Sequence, residues 1–128
     1  MRKTFVHLET TIPGLHHWPG AHGTEIYLSR PHRHLFGVEL DVQVDHGDRE
    51  IEIIAEARWL LELMGTFALS NSDGLLDFGP QSCEHLAGRI TDAAAERFGD
   101  QRELRCRVLE DGVLGAFTEQ TPAPRAVR

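Results

Sequence analysis

Residues 32–44, HRHLFGVELDVQV, alternate with a period of two: Phe36, Val38, Leu40, Val42 and Val44 face one way, Glu39, Asp41 and Gln43 the other. That is the pattern of a strand with one face on a core and one in water. Asp45-His46-Gly47-Asp48 is turn chemistry, so Arg49 to Ile53 is expected to return as the second arm of a hairpin. Upstream, Thr4 to Thr10 reads as a first strand anchored by Phe5, followed by a loop punctuated at Pro13-Gly14 and Pro19-Gly20.

Downstream, Ile54 to Met64 has the Ala, Leu, Glu and Trp content of a helix, with Gly65 placed to stop it. The polar stretch Ser70 to Gly74 leads to Ser82, a good N-cap, with Glu84 in the first turn, where the helix dipole favours negative charge. Leu86, Ile90, Ala93, Ala94 and Arg97 continue at helical spacing until Gly99. Leu104, Cys106, Val108 and Glu110 then share a strand face, and Asp111-Gly112 turns the chain into a partner strand, Val113 to Thr118. The expectation is one α+β domain over residues 1–120, with 121–128 as a flexible tail.

A length of 128 residues suits one core, and 41% hydrophobic with 26% charged residues is ordinary globular usage. A net charge of −7 argues against nucleic acid and anionic membrane surfaces as partners, since both need a basic face. No apolar run reaches the roughly 18 residues needed to span a bilayer, and Met1 to Thr4 is not followed by the apolar stretch of a signal peptide. Two cysteines, Cys83 and Cys106, are too few for a disulfide framework. A cytoplasmic location is the expectation.

Histidine is the unusual residue. His7, His16, His17, His22, His32 and His34 all lie in the first 34 residues. His32 and His34 are two apart on a strand, hence on one face and about 6.5–7 Å apart, which suits two imidazoles converging on one ion. They continue the apolar stripe of Phe36 and Val38, so such a site would sit on the core side of the sheet. A third ligand must come from the preceding loop, where His16, His17 and His22 are available. Three histidines leave a fourth position for water or substrate, the arrangement of a catalytic Zn²⁺.

With His17 as the third ligand, His17 followed by His32-Arg33-His34 resembles the zinc triad of the 6-pyruvoyltetrahydropterin synthase / 6-carboxytetrahydropterin synthase family. Glu52-Ile53 stands where that family has Asp-Phe. Residues 80–87, PQSCEHLA, look like its Asn-Pro-Thr-x-Glu-x-Leu-Ala segment, and residues 107–110 with Ala116-Phe117 look like its closing strands. The resemblance implies a tunnelling fold. In it a four-stranded antiparallel sheet carries two helices, and the sheets of several subunits join into a barrel, as a trimer or hexamer. It implies zinc at His17, His32 and His34, and a pterin-like ligand anchored by Glu110. A carboxylate suits that task because it accepts two hydrogen bonds from a 2-amino-4-oxo ring.

The resemblance also has gaps. The family's cysteine position is Leu28, and Ala68 to Phe78 lacks the histidine of its proton relay. Glu25 is the nearest acid to the missing cysteine and the candidate catalytic base. The implied function is a zinc-dependent lyase acting on a dihydroneopterin-type heterocycle. The alternative is a non-catalytic homologue that keeps metal and pocket.

Overall fold

The computed structural model describes residues 1–124. Residues 125–128 of the expected tail lie outside the described residues; before them, the Ala123 amide donates to Asp100 O at 2.7 Å. The architecture is α+β, with β1 (Thr4–His16), β2 (His32–Val44), α1 (Ile53–Phe67), β3 (Ser70–Ser72), β4 (Leu75–Asp77), α2 (Cys83–Phe98), β5 (Leu104–Glu110) and β6 (Leu114–Gln120). A 3₁₀ turn, Gly23–Ser29, sits between β1 and β2. Among the described residues no helix is long and apolar enough to cross a membrane.

The sheet has six strands, not the four expected, in the order β3-β4-β1-β2-β5-β6. It is mixed rather than antiparallel, because β4 lies parallel to β1 at Gly14 and Leu15. The extra strands come from the polar stretch after α1, where Asp73 and Gly74 take positive φ angles of 51° and 80° and turn β3 back on β4. Arg49 to Ile53 does not return as a strand. Both edges of β2 are already taken, by β1 from Thr4↔Val44 to His16↔His32 and by β5 from Phe36↔Glu110 to Val42↔Leu104. Glu52 instead caps α1, accepting from the amides of Ile54 at 3.1 Å and Ala55 at 2.6 Å.

β1 also runs further than its sequence suggests, straight through Pro13-Gly14. Pro13 lacks an amide hydrogen and sits just before β4 begins to pair. Gly14 is required by packing: a Cβ there would lie 2.9 Å from the Phe78 ring, 3.0 Å from Leu76 O and 3.1 Å from the Phe36 ring. Gly65 does not end α1, which continues to the buried Phe67.

Even-numbered residues of β1, β2 and β5 point at the helices and form the core: Leu8, Ile12, Phe36, Val38, Leu40, Val42, Leu104, Cys106 and Val108. Leu60 and Met64 of α1 and Leu86, Ile90 and Ala94 of α2 cover them. α2 begins at Ser82, whose Oγ accepts from the His85 amide at 3.0 Å, and ends at Gly99 with φ 93°. Arg97 ties the two helices by gripping both oxygens of Glu56, at 2.6 and 3.2 Å. The other face of the sheet is polar. There His7 bonds to Asp41 and Glu9 across and along the strands.

Candidate metal centre

The core-facing stripe of β2 ends in two histidines, and the matching stripe of β1 ends in one. His16 pairs in register with His32, and Gly14 with His34. Strand parity therefore puts His16, His32 and His34 on one face. Their ring centroids are 4.6 Å (His16–His32), 5.3 Å (His16–His34) and 5.0 Å (His32–His34) apart. One nitrogen from each lies within 4.8 Å of the others.

The triad expected from sequence is thus corrected in one member. His32 and His34 come together as expected, but the third histidine is His16 and not His17. The physical reason is alternation: the residue after an inward-facing strand residue cannot share its face. His17 leaves the strand, its amide donating to Gly79 O at 2.9 Å, and its side chain lines the adjoining cavity with a buried Nδ1 that has no hydrogen-bond partner. His22 is exposed, with Nδ1 against Gly20 O.

Each triad imidazole is oriented through Nδ1. That of His16 faces Gln81 O at 3.1 Å, that of His32 faces Arg30 O at 3.0 Å, and that of His34 faces Asp111 Oδ2 at 2.8 Å. Carbonyl and carboxylate oxygens only accept, so Nδ1 carries the hydrogen, and in the neutral imidazole the lone pair is then on Nε2. This is the orientation that prepares a histidine to bind a metal.

The supports are themselves held. Gln81 is buried, and its Nε2 donates to Phe67 O at 2.8 Å and Phe78 O at 2.9 Å. Asp111 Oδ1 accepts from the Leu35 amide at 2.8 Å. The bonds from His34 and from that amide hold the Asp111 carboxyl below its ordinary range. Beneath the triad lies Phe36, fully buried, with its ring edge-on to His16 at 5.1 Å and His34 at 5.7 Å.

The donor set fits a divalent metal such as Zn²⁺. His16 Nε2 is buried without a hydrogen-bond partner, an unsatisfied atom whose cost an ion would remove. Burial also holds the His16 pKa below 6.5, outweighing the opposing pull of the Gln81 bond and the Glu110 charge, so the neutral ligand form is favoured.

A cavity of about 530 Å³ opens beside the triad. Trp18, Leu28, Pro80 and Leu114 give it apolar walls, and Glu110 and Cys83 give it polar ones. Glu110 reaches the cavity as its sequence position suggests, but its oxygens are engaged. Oε1 is 3.1 Å from His16 Nε2 and Oε2 is 3.3 Å from His34 Nε2, while the Cys83 thiol donates to Oε1 at 3.6 Å.

Cys83 is held toward its thiol form in this arrangement. Burial, the Glu110 charge and that hydrogen bond push its thiol up to about 12, so the neutral form persists. Glu25, the candidate base, is exposed on the 3₁₀ turn and does not line the cavity, whereas Leu28 does.

Sequence reasoning offered His16 as one of three possible third ligands but chose His17, and it missed Gln81, Asp111 and Trp18. Only His16 had a usable signal, since it shares even parity with Leu8 and Ile12. No known family's model and no curated protein matches this chain.

Proposed function

We propose that this chain is a zinc-dependent protein of the 6-pyruvoyltetrahydropterin synthase kind, taking a pterin-like heterocycle into the cavity beside His16, His32 and His34. One observation carries the reading: three histidines bring one ring nitrogen each within 4.8 Å of the others, each with Nδ1 against an oxygen, and two of them, His16 and His32, line a cavity large enough for a bicyclic ring. When bound, zinc would supply Lewis acidity to an oxygen on the ligand's side chain, as a lyase of this kind requires. The chain's own residues do the rest. Trp18 and Pro80 offer apolar surface for a flat ring, Leu28 adds to that wall, and the Gln81 carbonyl and Asp111 hold the imidazoles in register.

A second reading, a binding protein without turnover, is favoured by the thiol of Cys83. It is the cavity's one cysteine, and it is held protonated. Leu28 stands where the resemblance implies a catalytic cysteine, and Glu25 is exposed and does not line the cavity.

Association of several copies through their sheets is part of the proposal. β6 pairs only with β5 and leaves Leu114 and Phe117 exposed beside an unpaired edge, which demands cover. Light scattering should return a mass of at least three chains, and a stable monomer would count against the shared barrel.

The test of function is elemental analysis of the purified protein, then titration with dihydroneopterin triphosphate and simpler dihydropterins, with product analysis. Zinc near one per chain, reduced-pterin binding and a changed side chain would support the lyase. Binding with unchanged pterin would support the second reading. Absence of binding across pterins and purines would overturn both.

A further inference from the structure

We propose that Glu110 is the fourth protein donor of the metal centre, which makes the set three histidines and one carboxylate, closed in the resting protein. This rests on the triad being a metal site and adds what completes it.

Glu110 lies opposite Phe36 in register and on the same face as Leu104, Cys106 and Val108, so its side chain points at the layer that holds the histidines. Four donors around Zn²⁺ at about 2.0–2.1 Å in a tetrahedron stand roughly 3.3 Å from one another. Glu110 meets that spacing at two of the three histidines, with Oε1 3.1 Å from His16 Nε2 and Oε2 3.3 Å from His34 Nε2, so its carboxylate must turn to bring one oxygen to all three.

A plain hydrogen bond does not explain this closeness. The nearby Oε1 does not satisfy His16 Nε2, which remains without a hydrogen-bond partner. With each Nδ1 donating to an oxygen, both Nε2 atoms present lone pairs to a group that also presents lone pairs. Such a meeting of acceptors is relieved by a proton or a metal cation between them, and a metal is the cation that all three histidines can share. Cys83, at the first turn of α2, steadies the carboxylate from the other side with its S–H on Oε1.

The consequence bears on ligand access. A tetrahedral centre with four protein donors has no open position. An outside oxygen reaches the metal only by displacing Glu110, and a carboxylate so engaged is not available to anchor a heterocycle.

Cobalt(II) replacing zinc is the probe, because its visible bands report coordination number, and azide reports an open position. The parent should take one cobalt per chain, show intense four-coordinate bands, and leave them unchanged on adding millimolar azide. Glu110→Gln should bind cobalt measurably more weakly than the parent and shift its bands with azide. Glu110→Asp, which keeps the charge but shortens the reach, should also respond to azide. An azide shift in the parent overturns the proposal even if every variant misfolds. So do equal cobalt affinities in parent and folded Gln variant; in both cases the histidine triad survives as a metal site. If the parent binds neither cobalt nor zinc, the triad reading falls, and the fourth donor with it.

Discussion

Asp111→Asn should weaken zinc binding without touching any metal ligand. In the parent, Asp111 Oδ1 accepts from the Leu35 amide and Oδ2 accepts from His34 Nδ1, each at 2.8 Å, while its own amide donates to Leu35 O at 2.8 Å. Asp111 also takes a left-handed turn position, φ 56°, which asparagine tolerates. The substitution therefore keeps shape and backbone but leaves one carbonyl oxygen for two N–H donors. Whichever way the amide turns, one donor faces an NH₂ group. If the oxygen stays with Leu35, His34 can accept from that NH₂ only by moving its own proton to Nε2, the nitrogen needed by the metal. Loss of such a supporting partner costs roughly 10- to 100-fold in metal affinity. Competition against a chromophoric chelator near neutral pH measures it. Thermal denaturation in excess chelator checks that the metal-free fold is intact. Parent-like zinc affinity in a folded Asp111→Asn protein would refute the claim that Asp111 sets the His34 tautomer.

His16→Ala should purify with little zinc while His17→Ala keeps about one per chain, and elemental analysis showing the reverse would restore the assignment read from sequence. Gly14→Ala should destabilise by about 1–3 kcal/mol, because a backbone oxygen and two rings block its methyl. Gly88→Ala, with nothing within 4 Å inside α2, should be neutral or stabilising by about 0.5–1 kcal/mol, and urea denaturation of the pair compares them. His7 is held above its ordinary 6.5 by its bonds to Glu9 and Asp41. Its contribution to stability is therefore fully present below 6.5 and lost as pH rises through the raised value. The gap in melting temperature between parent and His7→Gln should shrink from pH 6 to pH 9, and a constant gap would show that the charge plays no part.

The fold was legible wherever a local signal also had a free partner. Alternation in β2, the Ser82 cap and Gly99 stop of α2, and the Asp111-Gly112 turn all lie where their residues indicate. Each is decided within a few residues of chain. Arg49 to Ile53 was misread because nothing local says that β1 and β5 already occupy both edges of β2. The end of β1 was hidden by Pro13 and Gly14, which read as loop punctuation but serve as a strand position without a needed amide and a gap for two aromatic rings. That hidden end cost the site one residue. With β1 stopped at Thr10 the neighbours His16 and His17 are indistinguishable, whereas its true course separates them by parity alone. The supports at Gln81 and Asp111 had no sequence signal, since they depend on which carbonyl or turn the sheet brings to an imidazole.

The in-register zipper of β1 on β2 has a bearing on the order of folding. It joins two strands linked by a short stretch, so His16, His32 and His34 can meet after closing a small loop, with little chain entropy lost. Glu110 and Asp111 lie at and just beyond the end of β5, which follows α1, β3, β4 and α2 in the chain. A divalent ion present during synthesis would therefore find three of its partners on the earliest hairpin. It would hold that hairpin shut while the rest of the chain is still unfolded, acting first as a clasp for assembly and only later as the centre of a finished site.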